Sequence, residues 1–191
     1  HYLNTPDPNR VLRIGFSSPD IGWHPVGFFV VRLFESILEN EIKTVVYSDR
    51  LADDLTNRIR AASGLWRDVN GISDGDLTKI ILNDEIDILF DLTGHSAKNR
   101  MLLFARKPAP IQVSWAGYVG TTGLSSMDYF LSDIHSTLED EDKYYSEKVI
   151  RMPDGWLCYS PPDYAPEIGP LPFKQNGNVT FCSFSNPGKI N

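Results

Sequence analysis

The sequence has 191 residues, of which 41% are hydrophobic and 23% charged, a composition that supports one folded domain with a buried core. Its net charge of −7 argues against a nucleic-acid-binding surface, because phosphate groups would be repelled by most of the molecule. The two cysteines lack metal-ligand spacing, and no apolar run reaches the roughly 20 residues of a membrane helix, so we expect a cytoplasmic protein without a disulfide framework or membrane partner.

Apolar runs and helical periodicities alternate along the chain. The run at 11–18 predicts a strand, and the apolar residues that recur from 26 to 38 predict a helix. Further strands are predicted at 42–48, 87–92, 109–117, 127–133 and 147–153, and further helices at 51–62, 73–82 and 98–106. The strand segments do not alternate between apolar and polar residues, which is typical of parallel strands covered on both faces. The sequence therefore predicts an α/β fold with a doubly wound, mainly parallel sheet.

The two ends of the sequence depart from this pattern. Residues 1–10 are polar and contain prolines, as expected for a lead-in from an upstream region. A proline-rich stretch at 153–177 predicts an extended connector, and residues 178–191 predict the start of a new strand. We therefore expect the chain to be part of a longer protein.

In a doubly wound sheet, ligands bind at the carboxyl ends of the strands, so three loops are candidates for a site. We name these loops by their order in the sequence. Loop one, "SSPDIGWHPVG", places His24 before a proline and at the start of a helix, where backbone N–H groups favour anions. An imidazole there can accept a proton or donate a hydrogen bond, or it can serve only as a helix cap.

Loop two, "DLTGHSAKNR", carries Asp91 at a strand end and His95 just beyond Gly94. Both side chains can face one cleft, although a loop anchor is an equally good interpretation of Asp91. Four basic residues lie in this loop and the segment after it, and they suit either a phosphate or a solvated helix face: Lys98, Arg100, Arg106 and Lys107.

Loop three, "AGYVGTTG", combines three glycines with two threonines. Glycines let the backbone approach a ligand closely, and the N–H and hydroxyl groups are hydrogen-bond donors. The segment matches neither the dinucleotide-binding fingerprint nor a P-loop, because no lysine follows its last glycine. A plain turn after a strand therefore remains an alternative.

In this order, the segments "RIGFSSPDIGWHPVG", "DILFDLTGHSAKNRMLLFARKPAPIQVSWAGYVGTTG" and "YYSEKVIRMP" resemble the catalytic region of the O-linked N-acetylglucosamine transferase and SPINDLY-type family. The resemblance implies a two-lobed glycosyltransferase B fold, preceded by tetratricopeptide repeats. It also implies transfer of a sugar from a nucleotide diphosphate to Ser or Thr hydroxyls of proteins, with inversion and without a metal or cofactor. The implied partners are a UDP-sugar donor, a protein or peptide acceptor and a carboxyl-terminal lobe.

On this resemblance, residues 11–152 form the Rossmann-like amino-terminal catalytic lobe, which lies on the acceptor side, and 178–191 begin a truncated carboxyl-terminal lobe. Most groups that bind the nucleotide then belong to the other lobe. We therefore expect the isolated chain to be inactive.

The resemblance also implies roles for particular residues. His24 matches the family's active-site histidine, and Asp91 and His95 match the "DLxGHT" stretch, in which Ser96 replaces threonine. Five residues match the "GYPGT" loop that walls the sugar pocket, with valine in place of proline: Gly117, Tyr118, Val119, Gly120 and Thr121. The expected catalytic residues are therefore His24, Asp91 and His95, with the other six binding substrate.

Three questions stay open at this stage. The donor sugar implied is N-acetylglucosamine, but Val119 alters the pocket wall, so fucose or another sugar remains an alternative. Asp91 at the end of an apolar strand also suits a phospho-receiver or another ligand-binding α/β module. A degenerate, non-catalytic lobe is the third interpretation, and only Val119 supports it.

Overall fold

Seven parallel strands form one sheet in the computed structural model, which describes residues 2–7, 9–38, 41–162 and 164–184. The strands are Leu12–Ser18 (β1), Ile42–Ser48 (β2), Leu65–Asp68 (β3), Ile88–Asp91 (β4), Ile111–Ser114 (β5), Tyr129–Asp133 (β6) and Lys148–Met152 (β7). Their order is β3-β2-β1-β4-β5-β6-β7, and every neighbouring pair is parallel. The order reverses direction between β1 and β4, which makes this pair the topological switch point of the sheet.

Helices connect the strands. They are Pro25–Ser36 (α1), Asp54–Ala62 (α2), Asp74–Asn83 (α3) and Met101–Ala105 (α4), and a 3₁₀ helix at Glu139–Tyr144 precedes β7. The side chains of His24, Asp53 and Ser73 cap the first three helices by accepting a hydrogen bond from a backbone N–H of the first turn. No helix within the described ranges has the length and apolarity that a bilayer span requires.

Each face of the sheet carries its own apolar core. On one face, Phe16 of β1 and Val46 of β2 pack with Phe34 of α1 and Ile59 of α2. On the other, buried residues of β2 and β4 pack with the inner sides of α3 and α4: Tyr47, Leu89, Leu77, Ile81 and Phe104. Burial on both faces is why the strands are continuously apolar, and it confirms the predicted doubly wound α/β fold.

Some element boundaries differ from the prediction. Strand β3 was not predicted, because this short edge strand pairs with β2 but leaves Leu65 41% exposed. Helix α2 begins at Asp54 instead of residue 51, because the Asp53 cap sets its start. Helix α4 begins at Met101 instead of residue 98, because Lys98 has a φ of 61°, which is incompatible with a right-handed helix.

The chain divides into two compact units, 1–160 and 161–191, and the sheet belongs to the first. The predicted connector begins inside this first unit, where the Trp115 indole N–H donates to the Trp156 carbonyl (2.6 Å). The second unit contains a short helix, Pro172–Asn176 (α5). The strand predicted from residue 178 is wrong for 178–184, where none of the seven strands supplies a pairing partner; residues 185–191 lie outside the described residues. The domain boundaries given above stay predictions.

Candidate active site

Loops one, two and three follow β1, β4 and β5, three strands that are neighbours in the sheet. In a parallel sheet the carboxyl ends of neighbouring strands share one edge, so the topology brings the three predicted segments to the same edge. This edge is also where the strand order reverses. The candidate site is therefore built from residues that are distant in sequence and adjacent in the fold.

His24 is the N-cap of α1 and is half-exposed. Its Nδ1 accepts a hydrogen bond from the Val26 N–H (3.3 Å), while Nε2 lies 3.9 Å from an Asp20 carboxylate oxygen. Because Nδ1 acts as an acceptor, the neutral ring carries its proton on Nε2. The neutral imidazole therefore offers a donor, rather than a lone pair, to anything that approaches Nε2.

The start of α2 fixes the loop that carries His24. Asp53 accepts hydrogen bonds from the Trp23 N–H (2.8 Å) and from Arg50 (2.9 Å), and Arg50 also donates to the Trp23 carbonyl (3.2 Å). The Thr56 hydroxyl donates to the Ile21 carbonyl (3.2 Å). Burial disfavours the charged form of Asp53, but the hydrogen bonds it accepts from the Trp23 N–H, Arg50 and the N–H and hydroxyl of Thr56 outweigh this effect and lower its pKa to about 2. The carboxylate is therefore a permanent anchor at neutral pH.

Two glycines allow the loop to turn back onto its own helix. A Cβ on Gly27 would lie 1.9 Å from the Gly22 carbonyl oxygen, and a Cβ on Gly22 would lie 2.4 Å from the Thr56 hydroxyl. Gly27 requires glycine because its contacts are backbone atoms, whereas a side chain at Gly22 would have to displace the side chains of Arg50 and Thr56. The backbone just before His24 is therefore packed closely against the start of α1.

Asp91 is 1% exposed and lies at the end of β4. One carboxylate oxygen accepts from the Thr93 N–H (3.0 Å) and the other from the Gly94 N–H (3.0 Å). Burial raises the pKa of Asp91 to about 6, against the lowering effect of these two bonds and of His95. In this structure the carboxylate anchors the turn of loop two, and the catalytic role implied by the resemblance stays a prediction.

His95 is exposed and faces loop three. Its Nε2 lies 2.9 Å from the Thr122 carbonyl oxygen, and its ring meets that of Tyr118 edge to face at 5.4 Å. A carbonyl oxygen can only accept, so Nε2 carries the proton and the Nδ1 lone pair of the neutral ring is left as an acceptor. Hydrogen bonding therefore gives the free nitrogens of His24 and His95 opposite capacities.

Loop three packs tightly at one end and is open in the middle. A Cβ on Gly117 would lie 1.9 Å from the Leu92 carbonyl oxygen, and the preceding Ala116 has a φ of 65°. The side chains of Tyr118 and Val119 are 38% and 77% exposed. Gly120 lies between this exposed tip and the anchored threonines, so its backbone is among the groups that a ligand at this edge can reach.

The other end of loop three is held by a residue that the sequence patterns did not single out. Glu147 lies just before β7 and is 5% exposed. It accepts hydrogen bonds from the Thr121 hydroxyl (2.7 Å), the Thr122 N–H (2.7 Å) and the Thr122 hydroxyl. Its partners are 25 and 26 residues away, so no local pattern could have identified it.

Loops one and two are joined by a buried hydroxyl. The Ser18 side chain accepts from the Thr93 hydroxyl (2.9 Å) and from the Asp20 N–H (3.0 Å). Ser96 follows in loop two and is partly buried, with its N–H donating to the Thr93 carbonyl (3.2 Å). The three loops therefore form one hydrogen-bonded unit.

The four basic residues in and after loop two do not form a common anion site. Arg100 bridges Asp49 and Asp74, and Lys107 pairs with Asp128, so two of the four are already neutralised within the fold. A polar cavity of about 700 Å³ lies beside loop one, lined by the segments that follow β1 to β4. Within the described ranges, no group of three His, Cys, Asp or Glu side chains is placed to hold a metal ion.

Comparison with known families and relatives agrees with this architecture. The model of the family named Glycosyl transferase family 41 matches residues 1–160. A SPINDLY protein of Petunia hybrida, described as a probable UDP-N-acetylglucosamine–peptide N-acetylglucosaminyltransferase, is 40% identical over 98% of this chain. The SEC protein of Arabidopsis thaliana, with the same description, is 34% identical over 80% of the chain.

A solved structure gives the same result. The chain superposes on a mutant of the O-GlcNAc transferase of Thermobaculum terrenum with a TM-score of 0.80 and 41% sequence identity, over 83% of this chain and 31% of that one. The chain spans 21% of the length of the Petunia relative and 16% of the Arabidopsis SEC protein. It therefore corresponds to one part of these larger proteins.

Proposed function

We propose that this chain, which belongs to glycosyl transferase family 41, is the amino-terminal lobe of an enzyme that transfers N-acetylglucosamine from UDP to Ser or Thr hydroxyls of proteins. One observation supports it above the others: two histidines at neighbouring strand ends are held with opposite hydrogen-bonding capacity at their free nitrogens. The relatives' names supply the donor and the peptide acceptor. The remaining binding groups, including most contacts to the nucleotide, belong to the rest of the longer protein.

Glycosyl transfer needs one group that accepts a proton and a different group that donates a hydrogen bond. The acceptor hydroxyl forms a bond to the anomeric carbon and loses its proton, while the bond to the diphosphate breaks and UDP leaves with added negative charge. We assign the first task to Nδ1 of His95, which carries a lone pair. We assign the second to the Nε2–H of His24, which donates a hydrogen bond to an oxygen of the sugar or diphosphate.

The remaining predicted residues support these two. Asp91 holds the turn that presents His95, and Ser96 lies in the same turn. The backbone of Gly117 to Thr121 forms the wall beside His95, and the side chains of Tyr118 and Val119 project from it. Val119 is the residue best placed to influence which sugar is accepted, because it is the most exposed side chain of this wall.

The test uses the longer protein with UDP-N-acetylglucosamine and an acceptor peptide. We expect His95→Gln to lower turnover by roughly 10²-fold or more, since glutamine can still donate to the Thr122 carbonyl but cannot accept the proton. His24→Asn should lower turnover at least about tenfold while keeping the helix start intact, because asparagine is an equally good N-cap. His24→Ala loses both functions.

His135→Gln is the matched control, since His135 is exposed and lies outside the three loops. Unchanged turnover in His95→Gln would remove His95 as the proton acceptor, and unchanged turnover in His24→Asn would remove the imidazole of His24 from the reaction. A parallel assay with a fucose donor shows which of the two sugars is transferred. No turnover with any donor would support the degenerate lobe.

A phospho-receiver is the less favoured alternative. Such domains need an aspartate that a phosphoryl donor can reach, whereas both oxygens of Asp91 are buried and accept backbone N–H bonds. We expect no mass increase after incubation with acetyl phosphate and Mg²⁺. Labelling of Asp91 would overturn this preference. We also propose a cytoplasmic location, since both cysteines are free and exposed.

A further inference from the structure

Glu147, just before β7, is a buried carboxylate that accepts hydrogen bonds from loop three, which follows β5. All three of its side-chain donors come from Thr121 and Thr122, and one of them is the Thr122 backbone N–H. Burial disfavours its charge, but the hydrogen bonds from both threonines outweigh this effect and lower its pKa. Glu147 is therefore ionised at neutral pH and accepts strong, charge-assisted hydrogen bonds.

These bonds hold Thr122, the residue whose carbonyl faces His95. Glu147 holds the N–H and hydroxyl of Thr122, and the carbonyl of the same residue lies 2.9 Å from Nε2 of His95. The Thr121 hydroxyl also accepts from the Ser146 N–H (3.2 Å), so the attachment includes the backbone before β7. At its other end the loop is packed against Leu92 through Gly117.

We propose that Glu147 is a positioning residue for the transfer reaction: by holding Thr122, it makes the Thr122 carbonyl select the tautomer of His95 whose Nδ1 can accept a proton. The inference rests on the proposed function for its catalytic consequence. Its structural part, the choice of tautomer, does not depend on that function. Glu147 itself does not touch His95 and acts only through Thr122.

A second buried carboxylate provides the matched control. Asp87 is 7% exposed and accepts hydrogen bonds from Arg10, Asn4 and the Arg13 N–H. It lies just before β4, at the edge of the sheet opposite the three loops. Loss of Asp87 should therefore lower stability as loss of Glu147 does, without reaching His95.

The deciding measurement is the tautomer of His95, obtained by nitrogen NMR of the 191-residue chain with isotope-labelled histidine. The four histidines of the sequence are few enough to assign by comparison with His95→Gln. We expect the wild-type ring to carry its proton on Nε2 and Glu147→Ala to shift it toward a mixture of tautomers. Glu147→Gln should restore the wild-type spectrum, since its amide oxygen still accepts from Thr122. Asp87→Ala, which removes the other buried carboxylate, should leave it unchanged.

Turnover in the longer protein gives the catalytic part. Glu147→Ala should lower kcat roughly tenfold to a hundredfold, as expected for a displaced catalytic group, and Glu147→Gln should recover most of it. If Glu147→Ala does not fold, Thr122→Val takes its place, because it removes one donor to Glu147 and keeps the N–H. A wild-type His95 spectrum in folded Glu147→Ala, or in Thr122→Val where Glu147→Ala does not fold, would overturn the inference, as would an equal shift in Asp87→Ala. If the wild-type longer protein shows no turnover, the proposed function is wrong. The NMR spectrum of His95 still tests whether Glu147 sets its tautomer.

Discussion

Replacing Gly117 by alanine tests the contact that joins loops two and three. The added Cβ would lie 1.9 Å from the Leu92 carbonyl oxygen, 2.4 Å from its carbon and 2.8 Å from the Thr93 nitrogen. All three are backbone atoms, so no side-chain rotation relieves the overlap. The two loops must separate by about 1.5 Å to restore ordinary contact.

The expected cost is about 1–3 kcal/mol, as for other overpacked sites, which corresponds to a melting temperature lower by roughly 2–12 °C in a chain of this size. Gly75→Ala is the control, because its Cβ would meet only the Ser73 hydroxyl at 3.8 Å in a helix that favours alanine. We expect it to stabilise α3 by about 0.5 kcal/mol. Thermal unfolding monitored by circular dichroism measures both variants.

The longer protein should also lose activity in Gly117→Ala, since a displacement of about 1 Å at a reacting group can cost 10²-fold in rate. A Gly117→Ala variant that unfolds at the wild-type temperature with full turnover would refute the close contact and the rigidity argued from it. A loss of similar size in Gly75→Ala would show instead that the chain tolerates no added methyl group.

Three further variants test the ionisable groups. Burial raises the pKa of Asp91 to about 6, above its unfolded value of about 3.9. The free energy of unfolding that Asp91 contributes below about pH 4 is therefore lost as the pH rises through 6. Urea unfolding of Asp91→Asn should not show this loss of stability between about pH 4 and 6. Asp53 has the opposite sign, because its pKa is lowered to about 2. Asp53→Asn should be about 1–3 kcal/mol less stable than wild type above about pH 4, and the difference should disappear as the pH falls through about 2. Arg100→Lys should cost about 1–3 kcal/mol, because one ammonium cannot bridge Asp49 and Asp74, and an unchanged urea midpoint would contradict this.

The layers of the fold were predictable because they follow from local patterns. Buried parallel strands such as β1, β2 and β4 are continuous apolar runs, and α1 has apolar residues at helical spacing. Strand β3 was missed because its stability comes from pairing with β2, which leaves no signal in a short, half-exposed segment. Local propensity does not record such long-range pairing.

The site was predictable only in part. The His-Pro step before an apolar helix indicated that His24 lies at a helix start, where the structure has it. The burial of Asp91 was not evident, because a residue at a strand end can face either a cleft or the interior. Glu147 could not be found at all, since its role depends on a contact across 25 residues.

The buried hydroxyl of Ser18 limits how this enzyme family can be recombined. Because Ser18 accepts from both Thr93 and the Asp20 N–H, loop one and loop two share a buried hydrogen bond between side chains. A chimera that takes loop one from a relative and keeps loop two of this chain retains the hydrogen bond between the two loops only if the residues at positions 18 and 93 can still form it. The two loops are therefore one module for grafting, and donor or acceptor preference should be exchanged with Ser18 and Thr93 together.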